Sequence, residues 1–175
     1  MKKIMTFFAL ALTHQALAED ITVDVDDYAI VNLDEYDSVV TYSLSECVGI
    51  AIKSPRTDNL PSSGFLGHVL YNTLVIDPLK TSLNSARSFI NAAASSSYFQ
   101  GRDTTKMIAY VTGGTYGAWR TSFRSSIVNI VKEKFPGIRV IVTGAQGRGL
   151  SENGIYSMTL TRSGVSIDGG ESLIR

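Results

Sequence analysis

From Ile21 onward the chain alternates between apolar and polar positions. Ile21, Val23 and Val25 are separated by Thr22 and Asp24, and strand-like runs continue through residues 28–33 and 36–42. A period of two sends successive side chains to opposite faces, so these segments predict strands. Residues 47–53 form another, with Val48, Ile50 and Ile52 on one face, closed by Ser54 and Pro55. Pro61, Ser62, Ser63 and Gly64 then mark a polar loop, and residues 65–71 return as a strand carrying His68. The period changes after that. Leu83, Ala86, Ile90 and Ala93 recur at helical spacing within residues 82–98. Trp119, Phe123, Ile127, Ile130 and Val131 make the apolar stripe of a second helix, which Pro136 and Gly137 stop. Residues 106–112, 138–143, 154–161 and 165–167 read as further strands, the last two joined by a turn at Ser163 and Gly164.

Runs of strands with two interleaved helices predict an α/β or α+β domain. Its core would be a largely antiparallel sheet or sandwich, covered by two main helices. Residues 19–175 suffice for a single domain with its own core, and no internal repeat divides them.

The first 18 residues carry a different pattern. Lys2 and Lys3 precede a short apolar run over residues 4–12, and Ala16-Leu17-Ala18 supplies a small-x-small cleavage site. That is the pattern of a secretory signal peptide, with an apolar run too short for the roughly 20 residues of a membrane span. The expected product is a secreted or periplasmic protein beginning at Glu19, with no membrane association after cleavage. Removing Lys2 and Lys3 turns a balance of 16 bases and 16 acids into a slight acidic excess. Nucleic-acid binders ordinarily show the opposite bias. Every charged residue between Glu19 and Ile52 is acidic, yet Asp24, Asp26 and Asp27 lack the spacing and glycine of a calcium loop. A solvated strand face accounts for them, and neither a metal nor a cofactor is expected. The glycine-rich stretch at residues 144–149 lacks the Gly-Lys-Ser/Thr ending of a phosphate-binding loop.

Cysteine usage narrows the chemistry. Exported proteins usually employ cysteines in pairs, but Cys47 is alone and cannot form an internal disulfide. It is a buried apolar residue, a crosslinker or a reactive thiol. A thiol enzyme needs a nearby base, an orienter for that base and donors for an oxyanion. His68, on the strand that returns after the Pro61–Gly64 loop, is the candidate base. Thr41, on the strand leading into the Leu44-Ser45-Glu46 turn, is the candidate orienter. Backbone N–H groups near Ser45, Glu46 and Cys47 could face a carbonyl oxygen, and Gly64 and Gly67 could let the backbone approach. The bland alternatives are a half-buried histidine and a β-branched strand residue.

Thr41-x5-Cys47, within Leu44-Ser45-Glu46-Cys47-Val48-Gly49-Ile50, resembles the catalytic turn of the CheD chemoreceptor glutamine deamidases. Leu-Ser-x-Cys is also similar to the motif of the deamidating toxins, cytotoxic necrotizing factor and the Burkholderia lethal factor. Gly64-Phe-Leu-Gly67-His68-Val-Leu resembles the glycine-framed histidine strand of CheD. Met107-Ile-Ala-Tyr-Val-Thr-Gly113-Gly114 and Thr143-Gly-Ala-Gln-Gly147-Arg148-Gly149 resemble its later glycine turns. Glu46 departs from the small residue usual before the cysteine and is expected to face solvent. The resemblance implies a CheD-like fold and a thiol hydrolase with Cys47 as nucleophile, His68 as base and Thr41 as orienter. Its substrate would be a glutamine side chain of a protein, converted to glutamate. Export then implies a toxin or effector. Two alternatives remain open: a non-catalytic secreted binding domain with a buried cysteine, and a periplasmic Cys–His peptidase or amidase.

Overall fold

The computed structural model describes residues 19–44, 47–71, 74–113, 118–143 and 157–168, the side chains of residues 118–121 excepted. The expected leader at residues 1–18, the Ser45–Glu46 pair, the glycine-rich stretch at residues 144–149 and the Trp119 side chain lie outside the described residues. In chain order the elements are β1 (Asp20–Thr22), β2 (Asp27–Asn32), β3 (Ser38–Thr41), β4 (Cys47–Ser54), β5 (Ser63–Leu70) and α1 (Pro78–Ser95). After a short 3-10 turn at Thr104–Lys106 come β6 (Ile108–Gly113), α2 (Ala118–Lys134), β7 (Arg139–Thr143), β8 (Ser157–Thr161) and β9 (Val165–Asp168).

The strands form two sheets, one ordered β2-β5-β4-β6-β7 and the other β1-β3-β8-β9. Pairing is antiparallel except between β1 and β3 and between β6 and β7. The β6–β7 pair is parallel because α2 provides the crossover that such a pair requires. The mixed α+β sandwich expected from the sequence is what the chain forms.

Two apolar cores define three layers. Val48, Ile50 and Ile52 of β4 join Phe65 and Val69 of β5 and pack against Ala86, Ile90 and Ala93 of α1 and Phe123, Ile127 and Val131 of α2. The opposite face of the same strands, with Cys47, Ala51 and Leu66, packs against Val39, Met158 and Leu160 of the smaller sheet. Both faces of β4 are therefore covered. The second face carries Cys47, Gly49 and Ala51, small residues that allow the smaller sheet to come close. Fully buried side chains such as Ile50 and Phe65 each contribute about 1.5–3 kcal/mol.

The element ends differ from the sequence reading for local reasons. β1 stops at Thr22 because the chain must cross from one sheet to the other. Val23 N–H still bonds Val40 O at 2.8 Å, and Asp26 then takes a left-handed conformation (φ 59°) before β2 begins at Asp27. α1 starts at Pro78 rather than Ser82. Asp77 caps it by accepting the Lys80 N–H, and proline suits the first turn because it has no N–H to leave unpaired. α2 ends at Lys134, and Gly137 (φ 83°) turns the chain back toward β7.

Candidate active site

Thr41 ends β3, Cys47 begins β4, and His68 lies near the end of β5. Because β4 and β5 run antiparallel, Cys47 pairs with Leu70 and Gly49 pairs with His68. Cys47 and His68 are thus diagonal neighbours on the face that meets the smaller sheet. Diagonal pairs stand about 7–8 Å apart, a separation an imidazole can bridge toward a thiol. Thr41 reaches the same place from the opposite sheet. The three side chains are buried, with exposures of 0% for Thr41, 5% for Cys47 and 1% for His68.

The hydrogen bonds assign the histidine's protons. Thr41 Oγ1 donates to the Val23 carbonyl at 2.8 Å and lies 2.7 Å from His68 Nδ1. A hydroxyl has one hydrogen, and two oxygens at 2.8 Å need that hydrogen between them. His68 Nδ1 must therefore donate to Thr41 Oγ1. In the neutral imidazole this leaves Nε2 as a bare lone pair. Nε2 is buried and has no hydrogen-bond partner among the described residues. An unsatisfied buried polar atom costs about 1–3 kcal/mol, so one kept in a native fold calls for a reason.

Burial pushes the His68 imidazole below its ordinary pKa, and the nearby Asp26 and Asp24 carboxylates pull it partly back up. The ring is neutral at pH 7 and able to accept a proton at Nε2. Once charged, it would be eased by the same two aspartates and by the Thr41 oxygen.

The segment that supplies the Val23 carbonyl also bridges the sheets. Val23 is tied to β3, whereas Asp27 pairs with His68 itself. Residues 23–27 thus cross between the two sheets at the end holding Thr41 and His68.

The sequence reading placed Thr41, Cys47 and His68 together, and these three do converge. Gly64 and Gly67 do not shape the site. Gly64 lies four residues from His68, about 13 Å along the strand. A Cβ on Gly64 would press into Leu160 and Leu33 between the sheets. Gly67 faces the helix layer, where the Phe65 ring fills the space a Cβ would take. The proposed oxyanion residues Ser45 and Glu46 lie outside the described residues.

Other residues at the site were not singled out by sequence reasoning. Gly49 stands opposite His68, and a Cβ there would meet Leu44 Cδ1 at 2.9 Å and Met158 Sδ at 3.3 Å. Leu44 and Met158 therefore wall the place beside the imidazole. Gly113 adopts φ 100°, and a Cβ on it would collide with the Cys47 carbonyl oxygen. The Gly113 carbonyl in turn accepts a bond from Arg124 Nη1 at 2.9 Å, tying α2 to the strand beside Cys47. The Gly113-Gly114 pair was visible as a strand end, but nothing in the linear sequence connected it to Cys47. Among the described residues no group of three or more His, Cys, Asp and Glu side chains is arranged to hold a metal.

No protein-family model matches this chain, and no curated protein matches it either.

Proposed function

We propose that the protein is an exported protein-glutamine deamidase, a thiol hydrolase acting as a toxin or effector on a protein substrate. The single observation that carries this is the Val23 carbonyl–Thr41–His68 relay, which leaves Nε2 bare on the same sheet face as the chain's only described cysteine.

The chemistry follows from the proton assignment. The Cys47 thiol proton moves to His68 Nε2, and the thiolate adds to the carboxamide carbon of a glutamine side chain. The imidazolium then protonates the amide nitrogen, the C–N bond breaks, and ammonia leaves a thioester on Cys47. Nε2, bare again, takes a proton from water as its oxygen attacks the thioester. The C–S bond breaks, and Cys47 regains its proton. Glutamate and ammonia are the products. Thr41 holds the ring in one tautomer throughout, which supports general-base catalysis worth about 10²–10⁴-fold.

The test is mass spectrometry of bacterial and eukaryotic lysates incubated with the protein and with its Cys47→Ser variant. Glutamine-to-glutamate conversion at one or a few sites, absent with the variant, is expected. The burial of Cys47 favours a second reading, a secreted binding domain with a structural thiol. Slow alkylation of Cys47, unchanged in His68→Ala and without conversion in either lysate, would select that second reading.

A further inference from the structure

The end of the sandwich that holds Cys47 and His68 is unlike the rest of the surface. Val25 (49% exposed), Tyr42 (50%), Leu74 (95%) and Ile76 (106%) all present apolar side chains to water there. Each belongs to a segment leaving the sheets at that end: Val25 in the crossing between sheets, Tyr42 directly after Thr41, and Leu74 and Ile76 after β5. Interspersed with them are Asp24, Asp26, Asp27 and Asp77. Among the described residues of 23–28, 41–44 and 70–77 there is no lysine or arginine; at the same end Arg124 Nη1 is bonded to the Gly113 carbonyl, and Lys80 follows residue 77 within α1. Asp24 and Asp26 lie close enough to His68 for their charges to act on it. Nε2 of the 1%-exposed His68, which has no hydrogen-bond partner among the described residues, is the buried group this surface surrounds.

We propose that this apolar, acidic rim is the docking surface for a substrate protein segment in which the target glutamine is flanked by apolar residues and by lysine or arginine. The inference rests on the deamidase reading and gives it a substrate class. Exposed side chains of this size are stabilised when a partner covers them, and acids of one sign recruit and orient a basic partner. Charge complementarity also argues against a second copy of this chain as occupant. A two-fold contact would bring the four aspartates toward their own equivalents.

Binding and turnover are measured separately. Fluorescein-labelled peptides carry one glutamine between leucines, flanked further out by lysines, serines or glutamates. Their affinities are read by anisotropy on the Cys47→Ala protein. The lysine peptide is expected to bind at least about tenfold more tightly than the glutamate peptide at low salt, and the gap should close in 1 M salt, where the Debye length is about 3 Å. Asp24→Asn with Asp26→Asn should narrow that gap, asparagine being chosen because it tolerates the left-handed backbone at Asp26. Leu74→Ser with Ile76→Ser, both nearly fully exposed and so safe for folding, should weaken all three peptides together.

Equal behaviour of the lysine and glutamate peptides, shared failure to bind included, overturns the proposal. So does a preference that survives the asparagine changes. A dimer of the Cys47→Ala protein in sedimentation, dissolved by the serine changes, also overturns it, in favour of self-association. Ammonia release is followed with Cys47 intact. Selective binding without ammonia leaves the docking surface standing and sinks the deamidase reading; ammonia released without charge preference does the reverse.

Discussion

The two ends of the β4–β5 ladder bury different polar groups: a guanidinium whose two Nη atoms are bonded while its Nε has no partner among the described residues, and an imidazole with one nitrogen bonded. At the far end Ser54 pairs with Ser63, and the Arg102 guanidinium closes over both. Its Nη1 donates to Ser54 Oγ and the Pro55 carbonyl, and its Nη2 donates to the Pro61 carbonyl and Ser63 Oγ at 2.7 Å each. The near end holds a buried imidazole with one nitrogen bonded and the other without a partner among the described residues. A charged fork that joins loop carbonyls and strand hydroxyls is a staple. The atoms left over differ in kind: the guanidinium's Nε–H can only donate, whereas Nε2 of the neutral imidazole is a lone pair on the sheet face that carries Cys47.

The sharpest way to break this contrast is to remove the base. His68→Leu deletes the orphaned atom at similar volume, so urea unfolding should change by no more than about 1 kcal/mol. Cysteine-dependent glutamine conversion should fall by about 10²–10⁴-fold. A large loss of stability would show that His68 is a structural residue like Arg102. At the staple, Arg102→Ala should cost about 2–3 kcal/mol in urea unfolding, because charge-assisted bonds to loop carbonyls are lost together. It should leave the rate of Cys47 alkylation unchanged. A slower thiol in that variant would mean the two ends are coupled.

Thr41→Val sharpens the comparison from inside the relay. It leaves the Val23 carbonyl and His68 Nδ1–H without their partner, at a cost of about 2 kcal/mol. It also frees the tautomer, which should lower the rate of glutamine conversion about tenfold. Thr41→Ser keeps the hydroxyl and should restore most of that rate. The smallest effect is on acid stability. His68 titrates below its ordinary value because it is buried, so the unfolded chain takes up the proton first as pH falls. Stability is therefore full above the unfolded value of about 6.5 and declines as pH falls toward the lowered folded value. His68→Leu should flatten that window in urea titrations run from pH 7 downward. His68 is the only histidine in residues 19–175, so its NMR titration reads the folded value directly.

Much of this arrangement was legible in the chain. Alternation of period two located the strands, and helical spacing located both helices, since each pattern records which face is buried. Cys47 and His68 were recognisable because residues 19–175 hold no other cysteine or histidine, whereas Thr41 stood out among many threonines only by its spacing before Cys47. Gly64 and Gly67 misled. A glycine announces that space is needed without saying which neighbour needs it, and here Leu33, Leu160 and Phe65 fill it. That Gly49, Leu44 and Met158 wall the imidazole was missed for the complementary reason. Leu44 and Gly49 lie in the stretch around Cys47, but Met158 comes from β8 and joins them only when the sheets stack.

The sequence by itself determined the element types, the helix-facing stripe of β4 and α2, and the three reactive residue types, because periodicity and residue chemistry are local properties. The tertiary structure alone decided that Thr41 approaches His68 from the opposite sheet and that the Val23 carbonyl takes the hydroxyl proton. It alone decided that Nε2 has no hydrogen-bond partner among the described residues. Those outcomes depend on strand register and on how two sheets pack face to face, and such long-range contacts leave no periodic trace in the chain.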